Sequence, residues 1–357
     1  MLRRASARTA TLVLAAPALA LAYLGLWPIS SRPVAWIPPR APELVGPLAV
    51  NQALSAVDRL DVGGRGPEDV AFGPDGLLYA GLEDGRIVRL KPGSAAETFT
   101  HTGGRPLGLR FGPDGRLFVA DARRGLLAVK ADGRVAVLTS SHDGRPYGLT
   151  DDLDVTADGT VYFTDATDRH GLGRSVESIV EHQARGRLLA HGPDGSTRLV
   201  ADGLYFANGV ALAADESYAL VAETASYRVL KCALAGERRG RCDVFADNLP
   251  GFPDGVTRGE GGVFWVALFA PRNALLDRLH PYPALKKALL RLPGWLRPRA
   301  QGHGFVLGLD AQGRIVHNLQ DPSGRGFAFI TNAVENRGAL YLGSLELPAV
   351  GRIRRPD

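Results

Sequence analysis

Glu68, Asp151, Asn208 and Asp254 hold one position in four copies of a repeating pattern, each two residues ahead of the start of an apolar strand. All four carry side-chain oxygen. Carboxylates and a carboxamide are hard donors of the kind Ca²⁺ takes, and no His/Cys cluster competes for a softer metal. The remaining two copies place Leu107 and Ile330 there. Taken singly, an Asp or Asn before a strand is a turn former. Taken together they read as a ligand set, because three carboxylates crowded without a cation repel one another. A carboxylate beyond those that a cation needs can serve as a general base toward water attacking a carbonyl, with Asp254 and Asp151 as the candidates. An Asp of ordinary pKa, about 4, is weak for this role, so burial or crowding must raise it. Asp152 is either an outer partner on the substrate side or a turn residue.

These positions are set by the repeat. Its copies start at Val70, Leu109, Leu153, Val210, Val256 and Asn332. Nine positions on stand Tyr79, Phe118, Tyr162, Ala219, Trp265 and Tyr341. Asp-Gly or a similar turn separates two alternating apolar runs, a strong hairpin signal. A third run follows in each copy and a fourth in most. Four antiparallel strands recurring every 40 to 57 residues or so describe propeller blades, which predicts an all-β, six-bladed β-propeller. A β-sandwich would share the turns but not the fixed offset. The last copy ends after its third strand, and 54–62 precedes the first copy without a blade of its own. That segment is expected to supply the missing strand and close the ring, which hides the sheet edges. The equivalent positions then ring one end of the central channel.

The 357 residues are 45% apolar and 22% charged, which excludes a disordered chain, a coiled coil and a polytopic membrane protein. Arg and Lys excess lies in the first 50 residues and in 271–300, leaving the rest mildly acidic. With no zinc-finger, RNP or basic helical motif, nucleic acid is not an expected partner. Arg3, Arg4 and Arg8 precede an uncharged run, 9–29, long enough to span a bilayer with the propeller outside the cytoplasm (N-in). Ala18-Leu19-Ala20 leaves a second outcome open, cleavage and a secreted or periplasmic protein, although it lies inside the apolar run. Residues 1–30 thus read as a signal-anchor or signal peptide, 31–50 as a Pro-rich tether and 51–357 as the propeller. Cys232 and Cys242 flank a hairpin turn, and they either pair or remain two thiols. The insertion 271–300 mixes Leu and Trp with Arg and Lys and is broken by prolines. It reads as short helices forming a lid, a basic amphipathic element on lipid, or an edge helix packed on the propeller. His303 follows it as a candidate substrate contact.

The segments "GPEDVAFGPDG", "LTDDLDVTADGTVYFTD", "YFANGVALAADESYALVAET" and "DNLPGFPDGV" resemble the strictosidine synthase-like proteins, closest to the adipocyte plasma membrane-associated branch. The wider superfamily holds the gluconolactonase/senescence marker proteins and the paraoxonases. The resemblance covers about residues 50–355 and implies a six-bladed propeller with a central calcium. It matches the family's ligands to Glu68, Asp151 (Asn in the family), Asn208 and Asp254, the last being both ligand and proposed base in the lactonases. The synthases' catalytic Glu aligns with Thr331, with Glu335 out of register, and the paraoxonase His dyad has no clear counterpart. The expected function is a calcium-dependent hydrolase of lactones or activated aryl esters, membrane-tethered. The alternatives are a non-catalytic ligand-binding propeller and an amine–aldehyde condensing synthase.

Overall fold

Asp-Gly turns make the repeat fold as hairpins. At Asp75-Gly76 the carboxylate accepts the Leu77 amide at 3.0 Å, while Gly76 adopts φ +77°, which costs a residue without Cβ nothing. Asp114-Gly115 repeats the device through the Arg116 amide. The computed structural model describes residues 22–91 and 93–356. It holds six four-stranded antiparallel sheets and one two-stranded ribbon. The six sheets are the blades of the expected propeller, with innermost strands Val70–Phe72, Pro106–Phe111, Thr150–Val155, Ala207–Leu212, Gly251–Arg258 and Ile330–Asn336.

Blade six takes its outer strand from the other end of the chain. Asp58–Asp61 pairs antiparallel with Ala349–Arg354, Leu60 lying opposite Val350. Leu60 packs on the apolar layer shared by Val70, Leu78 and Val88 of blade one and Tyr341 and Val350 of blade six. Each fully buried Val or Leu in such a layer contributes about 1.5–3 kcal/mol. The ring thus closes as the sequence predicts.

The nine-residue offset holds in four blades. In blade four Ala211 pairs with Leu220, so its hairpin is one residue longer than the pattern. In blade six Val334 pairs with Tyr341 and Ala333 with Leu342, so that copy starts at Ala333 rather than Asn332. The turn lengths differ while the strand faces stay in phase.

Two excursions leave the same end of the propeller, each between a blade's second and third strands. In blade three it includes the helix Ser175–Glu181; in blade five it carries the helices Ala274–Leu279 and Pro283–Arg291. Asn273 caps the first of these by accepting the Leu276 amide, and Pro283 opens the second, where a missing N–H costs nothing. The insertion therefore lies within blade five.

Residues 31–50, read as a tether, are largely extended but docked as a strap over this roof. The Val34 amide donates to Glu181 O (2.9 Å) and the Trp36 amide to His280 O (3.1 Å). Buried Lys286 donates to Val34 O at 2.7 Å. The Trp36 ring stacks on His182 with centroids 4.0 Å apart and meets His280 edge-on. Burial, then the charge of Lys286, pushes both histidines down to about 3, so they stay neutral beside the lysine. Further along, Arg272, Asn248, Gln320 and Asn318 donate to the carbonyls of Pro39, Arg40, Leu48 and Ala49. Most of the 9–29 run lies outside the described residues. Among the described residues no helix is long and apolar enough to cross a membrane.

Cys232 and Cys242 pair across the third and fourth strands of blade four as a disulfide. Replacing both by Ala should lower stability by about 1–3 kcal/mol, read as a lower urea midpoint without loss of cooperativity.

Candidate functional site

A recurring irregularity aims the candidate residues. In blade three Thr150 pairs with Asp165 and Leu153 with Phe163, so Asp151 and Asp152 together oppose Thr164. The same two-against-one bulge sets Leu107-Gly108, Asn208-Gly209, Asp254-Gly255 and Thr331-Asn332 against single residues. Those single residues are Ala120, Thr164, Ala222, Ala267 and Gly343, all small. A bulge turns one side chain out of the ladder, as is common beside functional sites. Space is tight: a Cβ on Gly343 would stand 1.7 Å from Glu68 O.

The first bulge position carries Leu107, Asp151, Asn208, Asp254 and Thr331, with Glu68 in the matching place of blade one. Thr331, not Ile330, completes the ring, because the sixth copy starts one residue later than the pattern suggests. Its hydroxyl donates to Glu68 O at 2.6 Å, tying blade six to blade one. Glu68, Asp151, Asn208 and Asp254 are 4–7% exposed. Burial, then the charges of Asp151 and Asp254, pushes the Glu68 carboxyl well above the ordinary range against the pull of Arg105. Burial, then nearby Asp165, holds Asp151 at about 7, again opposed by Arg105. Asp254 is raised by burial and by Asp151, while a hydrogen bond from Asn208 opposes the rise.

The second bulge position does different work. Asp152, an expected substrate contact, gives its carboxylate to backbone: Oδ2 accepts the Val210 amide of blade four (2.9 Å) and Oδ1 the Leu153 amide (2.8 Å). Asp69 accepts the Leu109 amide and the Asn332 carboxamide. These side chains tie blades together rather than face a substrate. His303 is likewise not at the mouth: it is buried in blade five, stacked on Phe305 and 3.2 Å from Gln320, whose amide also holds the strap. Glu335 accepts the Trp265 indole N–H at 2.8 Å, four residues beyond the ring, so no glutamate occupies the position of the synthases' acid/base.

Arg105 was not legible from the ring pattern. It lies two residues ahead of Leu107, is 1% exposed, and spends its guanidinium on the carbonyls of Gly66 (2.7 Å) and Pro106 (3.2 Å).

The fit to a hard divalent cation rests on donor chemistry. Glu68 Oε2 is buried with no hydrogen-bond partner, Asp151 and Asp254 raise the proton affinity of Glu68, and Asp151 raises that of Asp254. Both features are relieved by a cation accepting oxygen donors. Among the described residues no group of three or more His, Cys, Asp or Glu side chains stands ready-made around one point.

A six-bladed ring with buried acidic donors at one mouth is a lactonase-type propeller. Residues 63–281 match the SMP-30/Gluconolactonase/LRE-like region, and the chain belongs to that family, in its strictosidine synthase-like branch. An adipocyte plasma membrane-associated protein of Danio rerio is 38% identical over 307 residues, covering 79% of this chain and 74% of its own. Strictosidine synthase-like 10 of Arabidopsis thaliana is 33% identical over 344 residues, covering 87% and 90%. Among solved structures, a Xanthomonas campestris gluconolactonase superposes with TM-score 0.63 at 19% identity, covering 93% of this chain and 99% of its own. The calcium-binding protein regucalcin of Agrobacterium tumefaciens gives 0.57 at 15%, covering 82% and 94%. At such identities the structures speak for the fold.

A carboxyl held at about 7 when folded and near 4 when unfolded binds more protons in the folded state between those values. Stability of the cation-free protein should therefore fall as pH rises from 4 to 7. Asp151→Asn should flatten that fall and exceed the parent at pH 8 by on the order of 2 kcal/mol. Urea midpoints at pH 5 and pH 8 in chelator check both.

Proposed function

We propose that this protein is a calcium-dependent hydrolase of lactones or activated aryl esters, with Glu68, Asp151, Asn208 and Asp254 holding the ion. The observation that carries this reading is the set of three mutually repelling buried carboxyls beside a carboxamide, at the mouth of a lactonase-type propeller. The gluconolactonase and regucalcin likenesses support it. Calcium held there would polarise a carbonyl and stabilise developing negative charge.

The chain's own residues supply the proton chemistry. Asp254, or Asp151, takes a proton from the attacking water as its oxygen bonds to the carbonyl carbon. The ring or ester C–O bond then breaks, and the same carboxyl returns the proton to the departing oxygen. Asn208 orients Asp254 through its hydrogen bond. Burial excludes bulk water, which strengthens these interactions.

That burial also favours a second reading, a non-catalytic, membrane-tethered propeller in which the ion is structural. Threonine at position 331 argues against the condensing synthase, which needs an acid/base there.

The test is hydrolysis of a lactone and aryl-ester panel by the full chain in detergent, because a fragment starting near residue 45 lacks the docked strap. Calcium should support turnover and chelator abolish it. Asp254→Ala should cost about 10²-fold or more in kcat. Full activity in Asp254→Ala refutes the mechanism; no turnover, with calcium still raising Tm, selects the binding propeller.

A further inference from the structure

Most of the large exposed apolar side chains gather on the roof and strap. Elsewhere they stand singly on outer strands, as Val137, Leu199, Val244 and Val316 do. On the roof, Leu26 (80%), Trp27 (57%), Tyr282 (57%), Leu285, Trp295 (72%) and Leu296 are exposed within two adjoining segments, 22–27 and 275–296. Scattered exposed apolar residues need no explanation, but a concentration of Trp, Tyr and Leu does.

The charge around them has one sign. Arg278, Lys287 and Arg299 have no carboxylate in ion-pair distance among the described residues. Asp277, the single acidic residue of 271–300, is occupied by Arg272 (3.0 Å) and by the Tyr227 hydroxyl (2.8 Å). Aromatic and leucine side chains ringed by unpaired cations match the interface of an anionic bilayer, where indoles sit at headgroup depth and cations meet lipid phosphates.

Continuity fixes the occupant. The uncharged run 9–29 includes the helical residues 22–26, and these are clamped to the roof. Arg291 donates from Nε to Trp27 O (2.7 Å) and from Nη1 to Leu24 O (2.5 Å), and Tyr23 Oη donates to Arg291 O (3.0 Å). Ile29 packs on Val180, Leu276 and Leu290. A span entering lipid from Tyr23 would bring the roof with it. Both excursions leave the propeller at the end where the innermost strands begin, since Asp165 pairs with Thr150 and Pro271 with Gly251.

We propose that the roof, 22–27 with 275–299, rests on an anionic bilayer, so that the propeller stands with its acidic ring facing the lipid. This surface is independent of whether the ring catalyses anything.

The experiment places the full chain in nanodiscs containing brominated lipid, in a Trp27→Phe background. Trp295 emission is isolated by difference with Trp295→Phe, leaving Trp36 and Trp265 constant. Arg134→Trp supplies a reporter on a hairpin at the opposite end. The expected result is roughly half of the Trp295 emission lost in discs rich in anionic lipid, with little loss at position 134. The double variant Arg278→Glu/Arg299→Glu should reduce that loss. Equal quenching at both positions, or none at Trp295, overturns the orientation. Unchanged quenching in the charge-reversed variant overturns the role of anionic lipid. A dimer in detergent that dissociates in Trp295→Asp, with Trp295 unquenched by lipid, assigns the patch to a second copy instead.

Discussion

The molecule depends on one act of pairing, Asp58–Asp61 against Ala349–Arg354. Blades one and six share an apolar layer only because that strand joins the chain's two ends. With the ring closed, the innermost strands begin around one axis. Residues far apart in sequence then meet: Thr331 reaches Glu68, and Asn332 reaches Asp69. Open the ring and the carboxyls of blades one, three and five have no reason to be neighbours.

Five inner strands then divide a bulge between two tasks, and Glu68-Asp69 does the same just ahead of the inner strand of blade one. The first residue is turned toward the axis, and the second ties one blade to the next or is a glycine that lets the neighbour approach. The ties hold the crowded carboxyls in place. Asp152 and Asp69 are raised by burial but satisfied by backbone donors, whereas Glu68 keeps an unpartnered oxygen. Neighbouring acids in one channel thus serve different ends, and hydrogen bonding separates them better than charge does.

Much of this was legible in the sequence. Six repeats, hairpin turns at Asp-Gly and a missing last strand specify a closed propeller, because strand periodicity and turn chemistry are local signals. The positions of Glu68, Asp151, Asn208 and Asp254 followed from the repeat register. What failed were inferences that needed three-dimensional partners. Ile330 was placed one residue out because the sixth hairpin is shorter than the others. Asp152 and His303 looked available, yet backbone amides of blades three and four hold the first and Gln320 with Phe305 the second. Nothing local distinguishes such an acid from a free one. The Pro-rich 31–50 segment has the composition of a flexible linker, and only the carbonyl acceptors it offers to distant side chains reveal otherwise.

The docked strap has a mechanical consequence. A free linker of about twenty residues would let the propeller wander roughly 25 Å from its point of attachment. Held by Lys286, Trp36 and Gln320, the same residues allow no such excursion. Whatever grips the chain ahead of Tyr23 carries the propeller as a rigid load. Its height and heading follow from the grip.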